Sequence, residues 1–247
     1  MATVKDIYNY IDSFAPFSTQ EEWDNSGLLV GDENRVVNKI LFALDITSDV
    51  VKQATDCKAD LIITHHPIIF KPVSEVLSDS LIYKLIENGI SIISAHTNYD
   101  KATDGVNDIL CQTINATNFE KVEGTCLNIA YVDNNVYVED FALILRRKLG
   151  GVVRYNLPGK KISKIAVCSG SGSDYLSLAK EMKCDALLTG DASHHAFLDA
   201  NEIGIALFAC GHFETEVIAI KPLLEKIKRE FTVDCVLSNQ NTPIITI

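Results

Sequence analysis

Basic residues are scarce: 22 Lys and Arg stand against 33 Asp and Glu, leaving a formal charge of −11 over 247 residues. Such a chain repels phosphate backbones and offers no basic stripe for nucleic acid to follow, so DNA and RNA are set aside as partners. The same acidic excess suits cation capture. No apolar run approaches the roughly 18 residues of a membrane span, and the polar start MATVKDIYNY lacks the pattern of a signal peptide. We therefore expect a soluble, cytoplasmic protein. The seven cysteines contain no CxxC pair and make an odd total, against both a disulfide framework and a zinc knuckle; buried, reduced thiols are expected, Cys210 among them. There is no G-x-S-x-G elbow, and no Cys stands beside a His with a plausible orienter, against a serine or cysteine hydrolase. SGSGSD, residues 169–174, has Tyr175 where a dinucleotide fingerprint needs its third Gly. We expect a helix capped by Ser173 or Asp174 there in preference to a phosphate cradle.

What is present centres on DLIITHHPIIF, residues 60–70. Leu61, Ile62 and Ile63 read as a strand buried on both faces of a parallel sheet. Polarity then changes abruptly at Thr64, His65 and His66, and Pro67 stops the ladder. In an open α/β sheet the carboxyl ends of strands are where ligands bind. The other histidines occupy the same kind of place: His96 in SIISAHTNYD, His194 and His195 in ALLTGDASHH, His212 in ALFACGHFETE. The only tryptophan, Trp23 in EEWDNSGLLVGD, is read either as a ligand-facing aromatic or as a packed surface residue.

Strand-like and helix-like patterns alternate from residue 40 to about 114, loosen around residues 121–135 among Gly124, Asp133, Asn134 and Asn135, and resume from about 139. That alternation predicts βαβ units with parallel sheets. A further long helix is expected over residues 214–231 and an apolar segment at 244–247. KILFALDITSDVV from Lys39 and KIAVCSGSGSDYL from Lys164 share a register at an offset of 125 positions that also matches Ala54 with Ala179, Lys58 with Lys183, Asp60 with Asp185 and Thr64 with Thr189. We infer two similar α/β halves. The first domain is placed at residues 1–122 plus about 205–247, discontinuous in sequence, and the second at about 123–204.

His212 and Glu216 share one helical face at i, i+4 spacing. With His65, His66 and Asp100, which follows His96 by four residues, they make three imidazoles and two carboxylates. That donor set suits zinc, iron, manganese, nickel or cobalt, and exceeds what one closed tetrahedral zinc needs.

THHP, AHTNYD with DGVND, TGD followed by HH, GHFETE and the early WDNSGLLVGD occur in this order along nearly the whole chain. Together they resemble the signature blocks of the NIF-three-like dinuclear metal-centre family, the GTP cyclohydrolase I type 2 homologues. The resemblance implies two interlinked α/β domains with mainly parallel sheets, a site for two divalent metal ions at their interface, and a toroidal homohexamer. It implies His65, His66, Asp100, His212 and Glu216 as metal ligands, with His96, Asp191 and His195 lining the same cavity and His96 or His195 serving as catalytic proton carriers. The function it implies is metal-dependent hydrolysis of a nucleotide or related small molecule. A non-enzymatic, metal-binding hexameric scaffold or regulatory protein is the alternative.

Overall fold

A computed structural model describes residues 1–245, the side chains of Asp133 and Asn134 excepted. The end of the apolar segment expected at 244–247 lies outside the described residues. The strands are β1 (Gly27–Val30), β2 (Lys39–Ala43), β3 (Leu61–Thr64), β4 (Ser91–Ser94), β5 (Asn118–Lys121), β6 (Asn128–Tyr137), β7 (Arg154–Tyr155), β8 (Lys161–Val167), β9 (Ala186–Thr189), β10 (Ala206–Ala209) and β11 (Asp234–Leu237). The described residues divide into two compact units, residues 1–103 with 220–241, and residues 104–219 with 242–245. The boundaries read from the sequence, near 123 and 204, fall inside the second unit. The segment expected to loosen at 121–135 is instead largely paired strand, β5 against β6 and β6 against β8, with a register irregularity between Tyr131 and Val136. Asn135, at φ 50°, belongs to that irregularity; its polar neighbourhood marks a bulge in a strand, not a linker.

The first unit holds a sheet ordered β1-β4-β3-β2-β11. Its pairings are parallel except at the edge, where β1 runs antiparallel to β4. β3 and β4 are buried along their whole length, as expected of strands covered on both faces. The helix Ser48–Cys57 connects β2 to β3 and packs Val50, Val51 and Ala54 against Leu41, Ala43 and Ile62.

The second unit holds a sheet ordered β5-β6-β8-β9-β10-β7. Only β8/β9 and β9/β10 are parallel; β5/β6, β6/β8 and β10/β7 are antiparallel. Both sheets are therefore mixed, and the expectation of mainly parallel pairing is not met in the second; of its antiparallel pairs, β5 and β6 are joined by a short link, which antiparallel but not parallel neighbours permit. Alternate residues of β8, β9 and β10 feed two cores. Ile165, Val167, Leu188 and Phe208 go to one face, and Ala166, Leu187, Leu207 and Ala209 to the other. That is why these strands read as unbroken apolar runs.

The repeat at 125 positions is physical. Asp60 accepts from the amides of Asn38 and Lys39, and Asp185 from those of Ser163 and Lys164. Lys58 and Lys183 both take the left-handed conformation at φ 57°. The amide of Ala59 donates to Ala54 and that of Cys184 to Ala179, each at 2.9 Å. The long helix expected over 214–231 is broken into His212–Glu216, a 3₁₀ turn Val217–Ala219, and Ile220–Glu230. Pro222 explains the break: it has no amide to donate and its ring would meet the carbonyl four residues earlier, so it fits only in a first turn.

Candidate metal centre

β3 ends at Thr64, and the next two residues are His65 and His66; β4 ends at Ser94, two residues before His96. Because β3 and β4 are parallel neighbours with Thr64 opposite Ser94, the three imidazoles emerge together at one sheet edge. Their ligand-type nitrogens all lie within 4.8 Å of one another. His65 and His96 are buried.

Each ring is held by Nδ1. His65 Nδ1 donates to the carbonyl of Ala95 at 2.9 Å, His66 Nδ1 to Asp45 Oδ1 at 2.7 Å, and His96 Nδ1 to Asp24 Oδ1 at 2.8 Å. A carbonyl oxygen can only accept, so the proton of neutral His65 sits on Nδ1 and its lone pair on Nε2. Metal-binding histidines are oriented in this way, with the second ring nitrogen donating to a carboxylate or backbone carbonyl. Burial opposes charge on Asp24, yet the hydrogen bond and charge of His96 and the hydrogen bonds from Thr97 outweigh it and hold that carboxyl well below the usual carboxylate range. Asp24 also accepts from Thr97 Oγ1 at 2.5 Å and Ser26 Oγ at 2.9 Å.

Asp100 lies on the short helix Thr97–Lys101 that starts immediately after His96. Its Oδ1 is 3.6 Å from His65 Nε2, beyond hydrogen-bond reach. Ligands about 2.1 Å from one ion sit roughly 3–3.5 Å apart, so this pair has nearly the spacing of two ligands on one cation.

In the second unit, β10 leads through Cys210 and Gly211 into the helix His212–Glu216. His212 Nδ1 donates to Asp191 Oδ2 at 2.8 Å, and His212 Nε2 lies 3.2 Å from Glu216 Oε2. The i, i+4 pairing read from the sequence is present, and Glu216 is buried. The SGSGSD loop packs onto this pair. Gly170 has φ 58°, and a Cβ there would collide with Glu216 Oε1. Its amide donates to Thr215 Oγ1 at 3.1 Å, while its carbonyl accepts from the amides of Gly190 and Asp191. The expected Ser173 or Asp174 cap is absent: the turn Ser173–Tyr175 starts at Gly172 with no side-chain cap. The glycines serve close approach instead.

His194 and His195 open the helix His194–Ile203 and are exposed. His195 lines a cavity of about 480 Å³ with Ser173, Asp174 and Asp199; among the described residues it joins no group of metal-ligand type. Cys210 is fully buried as expected, and burial pushes its thiol up out of the usual range. Asp24 and Asp45, the carboxylates that orient His96 and His66, were missed as site residues. The available signal for Asp45 was its place just beyond β2, the same strand-end position that singled out the histidines.

A family model described as Duf34/NIF3 (NGG1p interacting factor 3) matches residues 2–243. The chain belongs to the Duf34/NIF3 family. A relative from Clostridium acetobutylicum, named GTP cyclohydrolase 1 type 2 homolog, is 36% identical over 91% of this chain and 89% of its own length. A Helicobacter pylori protein named GTP cyclohydrolase 1 type 2 is 34% identical over 87% of this chain and 88% of its own. Among solved structures, a Staphylococcus aureus hypothetical protein superposes with TM-score 0.92 at 30% identity, covering 99% of both chains. Reduced HcgD from Methanocaldococcus jannaschii superposes with TM-score 0.83 at 29% identity, covering 96% of this chain and 97% of its own. Among the described residues no helix is long and apolar enough to cross a membrane.

Proposed function

We propose that this protein is a metal-dependent hydrolase in which His65, His66 and Asp100 from the first unit and His212 and Glu216 from the second hold two divalent cations. The observation that carries this reading is the anchoring of His65, His66 and His96 through Nδ1 to a carbonyl and two carboxylates, an arrangement that directs ring nitrogens toward a common point. Imidazole with carboxylate suits zinc, iron, manganese, nickel or cobalt. Bound there, the cations supply a Lewis acid and a water of lowered pKa.

The chain's own residues do the rest. Asp100 and Glu216 are the carboxylates that would hold the cations together with the imidazoles. His96, fixed in tautomer and orientation by the Asp24 carboxylate, is the proton carrier we assign, accepting or donating at Nε2. His195, exposed beside the cavity it lines with Ser173, Asp174 and Asp199, is assigned a second proton-carrying role. The substrate we propose is a nucleotide or a related small molecule, in line with the names of the relatives, and the assembly a cytoplasmic homohexameric ring.

Asp100→Ala tests the assignment. Metal content and metal-dependent turnover of GTP or phosphodiester substrates should fall together; a variant that kept both would remove Asp100 from the site. Metal-loaded wild-type protein inert towards a broad nucleotide and phosphoester panel would favour the metal-holding scaffold instead.

A further inference from the structure

Two large apolar rings stand beside the imidazole cluster with no core to fill. Trp23 is 59% exposed and Phe70 47% exposed, although burying rings of this size stabilises a fold. They stack on each other with centroids 5.8 Å apart and planes 26° apart. His96 meets both edge-on, 5.9 Å from Trp23 and 6.0 Å from Phe70. His96 is in turn 5.0 Å from His65 and 5.4 Å from His66. The rings therefore form one chain of contacts that runs from the exposed Trp23 and Phe70 through buried His96 to His65 and His66.

The two segments that carry these rings are tied together. Asn25 Nδ2 donates to the carbonyl of Ile69 at 2.6 Å, which links the residue two after Trp23 to the residue before Phe70. The Trp23 loop is fixed further by Asp24, which holds Ser26, His96 and Thr97, and by the Ser26 amide, which donates to Gln20 Oε1 at 2.6 Å. A pinned aromatic pair has already lost the freedom that a ligand would otherwise have to remove.

We propose that Trp23 and Phe70 are the specificity platform of this site, stacking a planar heteroaromatic ring of the substrate so that its edge faces the imidazole cluster. The proposal rests on the hydrolase reading for what happens next, but not for binding. Stacked faces select flat rings of any hydrogen-bond pattern. Aliphatic acyl chains gain no stacking energy there, and a polyphosphate without a ring has no face to lay on Trp23 and Phe70.

Trp23 is the only tryptophan, so its fluorescence reports the platform directly. The full-length protein, with and without bound metal, is titrated with guanosine, with ribose 5-phosphate and with inorganic tripolyphosphate. Guanosine should quench Trp23 saturably while the other two do not. Phe70→Leu, which keeps apolar bulk but removes the ring face, should weaken guanosine binding on the order of tenfold with melting temperature and metal content unchanged. Trp23→Ala, followed by equilibrium dialysis, should do the same.

Absence of guanosine quenching would overturn the proposal, as would undiminished affinity in both variants. So would a Trp23 shielded from acrylamide in unliganded protein, since a second copy would then cover the platform. Guanosine binding without turnover of any ring substrate would keep the platform and remove the hydrolase reading. Turnover with unchanged KM in Trp23→Ala would do the reverse.

Discussion

Four imidazoles in this chain, those of His65, His66, His96 and His212, are each held at Nδ1 by an oxygen acceptor. An imidazole that merely fills space has no need of a carboxylate partner, and burying Asp24 costs desolvation that its hydrogen bonds and the charge of His96 offset. Asp24 therefore has a stability signature. Its carboxyl is depressed in the folded state, so its contribution is complete above the unfolded value near 4 and is lost as pH falls through the lower folded value. Asp24→Asn should destabilise chelator-treated protein at pH 7 by about 1–3 kcal/mol, and the difference from wild type should shrink below about pH 4. Urea melts at pH 7 and pH 3 measure both. A difference that grew on acidification would contradict the sign. Gly170 makes a second residue-scale prediction. With φ 58° and Glu216 Oε1 standing where a Cβ would have to go, Gly170→Ala should cost ~1–3 kcal/mol and reduce metal content by displacing Glu216; a silent substitution would show that the loop yields freely.

At the scale of the element, the repeated corner is the informative unit. The helix ending at Lys58 and the turn before β9 at Lys183 both close on a left-handed lysine at φ 57°, followed by Asp60 or Asp185, whose carboxylate accepts from the amide of Lys39 or Lys164 in the neighbouring parallel strand. Lysine in that conformation is strained by about 1–2 kcal/mol, and glycine relieves the strain while adding roughly 0.5–1 kcal/mol of unfolded-state entropy. Lys58→Gly and Lys183→Gly should each raise stability by about 0.5–1 kcal/mol, by similar amounts, in thermal or urea melts; opposite signs would show that the two corners are not equivalent. Much of this was legible beforehand. The strand ends at Thr64 and Thr189, the register of 125 positions and the pairing of His212 with Glu216 follow from period and spacing. Asp24 and Asp45 were not, because an Asp in a loop carries the same letters whether it caps a turn or orients a histidine. The break in the helix after Glu216 was readable from Pro222 but was outvoted by the apolar periodicity on both sides of it. The antiparallel edges of the second sheet were hidden because β6 and β7 are set among Gly, Asn and Asp, which signal linkers and bulges alike.

At the scale of the molecule, each unit runs its strands in a matching order, β1-β4-β3-β2 in one and β7-β10-β9-β8 in the other. In each, the ligand-type histidines follow the carboxyl ends of the central strands, β3 and β4 in the first and β10 in the second. Parallel neighbours end at one edge, so side chains far apart in the chain become neighbours without long-range tuning. His65 and His66 come from one element and His96 from the next, some thirty residues later. The proposal that both units share a pair of cations makes a stoichiometric claim that no single-unit site would satisfy. Elemental analysis of protein purified without added metal tests it most directly. Wild type should carry about two equivalents of transition metal per chain, falling to one or none in His66→Ala and also in His212→Ala, whose side chains lie in different units. Metal content unaffected by His212→Ala, or a wild-type chain that holds none after equilibration with these cations, would contradict it.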